Sequence, residues 1–93
     1  MLAIARACLQ DPQILILDEP SLGLAPIIVA KVLDTLQQIN DEGVAILLVE
    51  QNIRDSLNIA DRGYVLEEGK IILEGDGREL LSNDHIVEVY LGL

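Results

Sequence analysis

Three observations predict an α/β fold. Two short apolar runs, Ile14-Leu15-Ile16-Leu17 and Val44 to Val49, flank one amphipathic segment that opens at Pro26. Strand, helix, strand with short joints makes a βαβ unit, whose crossover is right-handed by strong default. Downstream, the alternating stretches Gly63 to Glu67 and Lys70 to Glu74 flank Glu68-Gly69, a tight-turn pair that joins antiparallel strands. The chain therefore reads as one α/β piece over residues 1–93: parallel strands with a crossover helix, then an antiparallel hairpin and closing helices. No internal repeat, low-complexity tract or linker interrupts it.

Each element has a local cause. Met1 to Gln10 is Ala-rich, with Leu2 and Ile4, and predicts a helix. No N-cap signal precedes it, so it reads as a helix cut in the middle. Asp11-Pro12 ends it, because the residue before proline is biased away from helical angles. Ile14 to Leu17 suits a strand buried on both faces of a parallel sheet. Pro26 starts the next helix where its missing N–H costs nothing. Val29, Val32, Leu33, Leu36 and Ile39 share one face of that helix, with Lys31, Asp34, Gln37, Gln38 and Asp41 on the other. Gly43 stops it. Val44 to Val49 is a second fully apolar strand, and Ile53 to Ala60 a short helix with Ile53, Leu57 and Ala60 on one side. After the hairpin, Gly75 and Gly77 predict a loop, and Arg78 to Ser82 and His85 to Leu91 predict helical segments.

Composition narrows the function classes. The 93 residues suffice for one domain, and with 51% apolar residues a core is available. So short a chain is marginally stable, because it buries a smaller share of its surface. A net charge of −10 repels phosphate backbones, and two tyrosines with no Phe or Trp leave little to stack on bases, so no nucleic-acid partner is expected. The single Cys8 cannot form an internal disulfide, and among Ala5, Ala7 and Leu9 it reads as a small buried residue. No apolar stretch approaches the ~20 residues of a membrane span. The N-terminus lacks the pattern of a secretory signal. A soluble, cytoplasmic protein is the expectation.

The chemistry concentrates at Asp18-Glu19-Pro20, where a strand ends in two adjacent carboxylates and a proline stops it. Magnesium takes oxygen ligands and keeps several waters, and an Asp at a strand end can hold one of those waters in fixed geometry. Phosphoryl transfer to water also needs a group that orients the attacking water. Glu19 is adjacent, so its carboxylate leaves the strand end in a different direction from that of Asp18.

The flanking residues carry a family resemblance. Ile14-Leu15-Ile16-Leu17-Asp18-Glu19-Pro20 resembles the Walker B segment of ATP-binding cassette (ABC) ATPases, and Met1 to Ala7 resembles the helix after that family's signature motif. Ser21-Leu22-Gly23-Leu24-Ala25-Pro26 resembles the following loop, Leu48-Val49-Glu50-Gln51-Asn52 stands in the place of the switch loop, and Ala60 to Lys70 resembles the hairpin beyond it. The resemblance covers the whole chain in order and spacing. Two departures sharpen it. The switch position, usually His, is Gln51, which can donate and accept hydrogen bonds but cannot carry a proton charge. Leu24 replaces a common Asp. Together they resemble the glutamine-switch ATP-binding subunit of branched-chain amino-acid (Leu/Ile/Val) importers.

The resemblance implies the C-terminal part of a P-loop NTPase fold of the ABC type, acting with ATP and Mg²⁺ in the complete domain. It implies that Glu19 polarises water, that Asp18 supports Mg²⁺ through water, and that Gln51 senses the γ-phosphate. Ser21, Leu22 and Gly23 would lie in the loop that meets a second ATPase subunit near ATP. The implied partners are that second subunit, transmembrane permease subunits and, indirectly, an extracytoplasmic substrate-binding protein. The implied location is cytoplasmic, peripheral on the inner face of the plasma membrane. Urea or other amide importers have similar ATPases.

The glycine-rich loop Gly-x4-Gly-Lys-[Ser/Thr], whose backbone amides and lysine hold phosphates, does not occur among the 93 residues, and Lys31 and Lys70 have no glycine cradle. The expectation is therefore a C-terminal fragment, with Met1 an internal methionine of a longer parent and the chain alone inactive. A non-catalytic fragment that only associates with a partner ATPase is the competing reading. In the family the P-loop strand lies between the strands at 44–49 and 63–67. An isolated chain with unpaired edges there is expected to be poorly stable or to associate. His85, Glu67 and Glu68 read as solvated polar residues, Asp76 and Glu79 as loop and helix-start polarity. Arg54, Arg62 and Arg78 do not cluster as a phosphate site would.

Overall fold

The computed structural model describes residues 2–92, so Met1 lies outside the described residues. The elements in order are α1 (Leu2–Cys8), β1 (Ile14–Asp18), α2 (Pro26–Asp41), β2 (Ala45–Val49), α3 (Ile53–Ile59), β3 (Arg62–Glu67), β4 (Lys70–Asp76), α4 (Gly77–Leu81) and α5 (Asp84–Val89). They divide into two compact units, Met1–Gln51 and Asn52–Leu93.

The first unit is the predicted βαβ. β1 and β2 run parallel, in register from Ile14 opposite Ala45 to Asp18 opposite Val49. α2 opens at Pro26 from an extended Ala25 and buries Val29, Val32, Leu33 and Leu36. That i, i+3, i+4, i+7 stripe is the one that the heptad-like spacing predicts. Leu36 is only 1% exposed and Val32 2%. Gly43, at φ +103, occupies a backbone region that favours glycine, and its amide caps Asn40, so the helix stops there. Cys8 at the end of α1 is half-buried rather than buried.

Burial of the strands on both faces is not what the structure has. Leu15 is buried and Leu17, Ile46 and Leu48 are partly so, while Ile14, Ile16, Ala45, Leu47 and Val49 are exposed. Successive strand side chains alternate between faces. One face of this two-stranded sheet is therefore covered and the other is an open apolar surface with Asp18 at its end. In a run where every residue is apolar, sequence alone cannot tell one-sided from two-sided burial.

The second unit is the predicted hairpin with helices. β3 and β4 pair antiparallel, from Arg62 opposite Asp76 to Glu67 opposite Lys70, with an irregularity between Val65 and Leu66. Glu68 at φ +50 and Gly69 at φ +76 form the two-residue turn, the left-handed pair that matches strand twist. Leu57, Val65, Leu80 and Ile86 make the core, with Ile53, Leu73, Leu81 and Leu91 against it. Side-chain caps start the helices: Asn52 accepts from the Asp55 amide, Asp76 from the Glu79 amide, and Asn83 from those of His85 and Ile86.

The loop expected at Gly75 and Gly77 is instead the end of β4 and the first turn of α4. Both glycines answer to crowding. A Cβ on Gly77 would lie against the backbone carbonyls of Leu57 and Ala60, 2.5 Å from the latter, and one on Gly75 would lie 3.1 Å from the Glu79 carboxylate. Close backbone approach is the reason for Gly77, whereas Gly75 meets only side chains, the nearest being that of Glu79.

Candidate functional site

Parallel strands bring their C-terminal ends to one edge, and in open α/β sheets that edge is where ligands bind. Here the edge carries Asp18 at the end of β1, then Glu19, and Glu50 and Gln51 just past β2. Asp18 and Gln51 are exposed, and Glu19 and Glu50 are half-buried.

The backbone makes the sharp change of direction that the Asp-Glu-Pro sequence predicts. The Glu19 amide donates to the Val49 carbonyl at 2.7 Å, which carries the ladder one residue past β1. Glu19 then adopts φ +48. A non-glycine residue in this left-handed region costs on the order of 1–3 kcal/mol and persists only where its surroundings hold it. The chain coils directly afterward: the Leu22 amide donates to the Glu19 carbonyl and the Leu24 amide to the Ser21 carbonyl, both at 3.1 Å, and Gly23 lies at φ +76.

Ser21 is buried, and its environment explains why a serine stands there. Its backbone amide donates to Glu50 Oε2 at 3.1 Å, and its Oγ donates to the same oxygen. The Gln51 amide donates to the other oxygen of that carboxylate, Oε1, at 3.3 Å. Glu50 was not singled out from sequence, because its partner Ser21 is 29 residues away. Its only local signal is a carboxylate at the end of an apolar strand.

The structure thus places Asp18, Glu19, Ser21 and Gln51 within one unit, at one sheet edge. Leu22 and Gly23 are exposed in the loop that follows. For magnesium the donor set is spare. Among the described residues no group of three or more His, Cys, Asp or Glu side chains is placed to hold a metal ion. Mg²⁺ bound beside phosphate needs only one or two protein carboxylates, the rest of its shell being water and phosphate oxygen, and the exposed Asp18 fits that limited part. The phosphate cradle itself has no counterpart among these residues.

Two readings elsewhere change. Glu67 and His85 are not merely solvated: Glu67 Oε1 accepts from the Tyr90 hydroxyl at 2.5 Å and lies 3.1 Å from His85 Nε2. The Tyr90 bond foremost, and His85 second, hold the Glu67 carboxyl below its ordinary value, while donation to Glu67 raises the Tyr90 hydroxyl. Arg62 bonds Glu74 at 3.1 Å and lies over the Tyr64 ring, 5.6 Å from its centroid. These contacts join β3 to β4 and the hairpin end to the residues of the last helical turn.

With this geometry in place, the chain can be compared with known proteins. The solved structure of cbiO1 from Clostridium perfringens, part of the ABC transporter complex cbiONQ, superposes with a TM-score of 0.81 at 31% identity, over 92% of this chain and 35% of that one. The fold is that of part of an ATP-binding cassette. Among curated relatives, the chain is 50% identical over 92 residues to the high-affinity branched-chain amino acid transport ATP-binding protein BraG of Pseudomonas aeruginosa, covering 99% of this chain and 40% of BraG. It is 35% identical over 89 residues to the lipopolysaccharide export system ATP-binding protein LptB of Escherichia coli, covering 96% of this chain and 37% of LptB. No family model matches the chain. The chain therefore resembles ABC transporter ATP-binding subunits, the branched-chain amino-acid type among them, and spans about two fifths of the length of these relatives.

Proposed function

We propose that the chain is part of an ATP-binding and ATP-hydrolysing subunit of an ABC importer that energises branched-chain amino-acid transport. The observation that carries this is the sheet edge. Two adjacent carboxylates, Asp18 and Glu19, stand at the end of β1, beside Gln51 at the end of the parallel strand. The 50% identity to BraG supports the substrate class, and LptB shows that cassettes of this kind also serve other cargo.

In this reading Glu19 orients and polarises the attacking water, its direction fixed by the left-handed backbone at its own Cα. Asp18 holds a water of the magnesium shell. Mg²⁺, when bound, neutralises charge that builds on the phosphate oxygens. Gln51 offers its side-chain amide to the terminal phosphate and, unlike a histidine, exchanges no proton with it. Ser21, Leu22 and Gly23 lie in the loop that meets a second ATPase subunit near ATP, and permease subunits in the membrane receive the motion. None of the described helices is long and apolar enough to cross a membrane; in this reading attachment is through those partners, at the inner face of the plasma membrane.

A second reading is a non-catalytic segment that associates with a partner ATPase through the loop from Ser21 to Pro26, in which Leu22 and Leu24 are exposed. Titration of the chain with Mg-ATP separates the two. Saturable binding that Asp18→Ala abolishes supports the hydrolytic reading. Capture of a full-length ABC ATPase by a chain that binds no nucleotide supports the second.

A further inference from the structure

The geometry points to Glu50 as a positioning residue that locks the two strand ends of the candidate site into one register. Its carboxylate spans both. Oε2 receives the amide and the hydroxyl of Ser21, on the loop after β1, and Oε1 receives the amide of Gln51, on the loop after β2. A carboxylate has about four acceptor positions, so three donors can be taken without competition. Ser21 is buried, so water does not readily replace the two bonds that it makes to Glu50.

The consequence falls on Glu19. Its left-handed backbone is held by its own amide on the Val49 carbonyl, by the Leu22 amide on its carbonyl, and by Ser21, two residues on, fastened to Glu50. If the Ser21 anchor is released, the two backbone bonds remain and the loop loses its side-chain tie to the end of the second strand. Because the same carboxylate holds the Gln51 amide, a change at Ser21 reaches Gln51 although 30 residues separate them in sequence. Glu50 acts through its neighbours and need not touch substrate. That it positions hydrolytic groups rests on the proposed function, but the clamp itself does not.

The test is nuclear magnetic resonance of the full chain without nucleotide, comparing wild type with Ser21→Ala, Ser21→Thr, Glu50→Ala and the double variant Ser21→Ala/Glu50→Ala. Glu50→Ala is expected to speed exchange of the Ser21 amide proton by about ten-fold or more, the scale of a lost bond to a charged group. Ser21→Ala is expected to shift the Gln51 amide resonance, Ser21→Thr to restore it, and the double variant to add little to Glu50→Ala. A serine that only fills space would move its own neighbours and leave Gln51 alone. An unmoved Gln51 resonance in Ser21→Ala, or additive shifts in the double variant, overturns the clamp. If Glu50→Ala does not fold, the Ser21→Ala and Ser21→Thr pair still decides. An intact clamp in a chain shown to take no part in ATP hydrolysis would remove the proposed function and leave the clamp standing.

Discussion

The parallel pair and the hairpin are both two strands wide, yet their outer faces differ in make-up. On the parallel pair the open face is apolar from Ile14 and Ile16 to Leu47 and Val49, with Asp18 alone at its end. On the hairpin the exposed residues are mixed: Leu66 and Ile71 are open, while the exposed Tyr64 lies under the Arg62 guanidinium, which in turn bonds Glu74. The hairpin is also tied to its last helical turn by the Glu67 carboxylate, whereas the parallel pair has its side-chain clamp only at the strand ends. The unit with the mixed face and the pinned last helix holds none of the candidate site residues. The unit with the acids and Gln51 leaves its sheet face bare. Exposed contiguous apolar surface marks a place where something else packs.

The largest effect should come from setting core against open face. Ile86, fully buried in the hairpin unit, is expected to cost about 2–5 kcal/mol as Ile86→Ala, through lost transfer energy and the cavity left behind. Ile16→Ala, at a position 65% exposed, is expected to cost under about 1 kcal/mol, since little apolar area leaves or enters water. Denaturant unfolding of both variants measures this. Equal costs would mean that the parallel pair buries its outer face in solution, and the contrast between the two units would fail.

A smaller effect sharpens the other half of the contrast, the pin on the last helical turn. The folded state lowers the Glu67 carboxyl below its ordinary 4.5, by the Tyr90 bond first and His85 second. A depressed carboxyl contributes stability above its unfolded value, and this is lost as pH falls through the folded one. Tyr90 is raised above its ordinary 10.0 by donation to Glu67, so its contribution is present below that value and lost as pH rises through the folded one. The pin should therefore hold across the neutral range and fail at both extremes. Thermal unfolding of wild type against Tyr90→Phe should show a gap that is widest near neutrality and closes in strong acid and strong base. A gap independent of pH would leave the contact without a role. The groups are exposed, so the gap will be modest.

Much of this was legible in the sequence, and the rest was not for identifiable reasons. The crossover unit was readable because Val29, Val32, Leu33 and Leu36 repeat at helical spacing between two apolar runs. The one-sided burial of Ile14 to Leu17 was not, because four apolar residues in a row give no period. Gly75 and Gly77 read as a loop, but the cause of Gly77 lies in the carbonyls of Leu57 and Ala60, which only the folded chain brings against it. Asp18, Glu19 and Gln51 stood out through resemblance and strand-end position. The contact of Glu50 with Ser21, like that of Glu67 with Tyr90, became visible only when distant segments met. A single side chain at long sequence separation leaves no pattern to read.

The smallest effect concerns the turn that lets the hairpin form without help. Glu68 stands at φ +50 with Gly69 at φ +76, and the two-residue turn of this type prefers Asn-Gly. Asn tolerates the left-handed region better than Glu, because its short polar side chain can bond locally. Glu68→Asn should therefore raise stability by roughly a few tenths of a kcal/mol. It also removes one of the acids behind the −10 net charge, so the comparison needs Glu68→Gln, which removes the same charge and keeps the longer side chain. A rise in the unfolding midpoint with Asn and none with Gln assigns the gain to the backbone. An equal rise with both assigns it to charge repulsion, and the turn geometry would then contribute nothing that the strand pairing does not already impose.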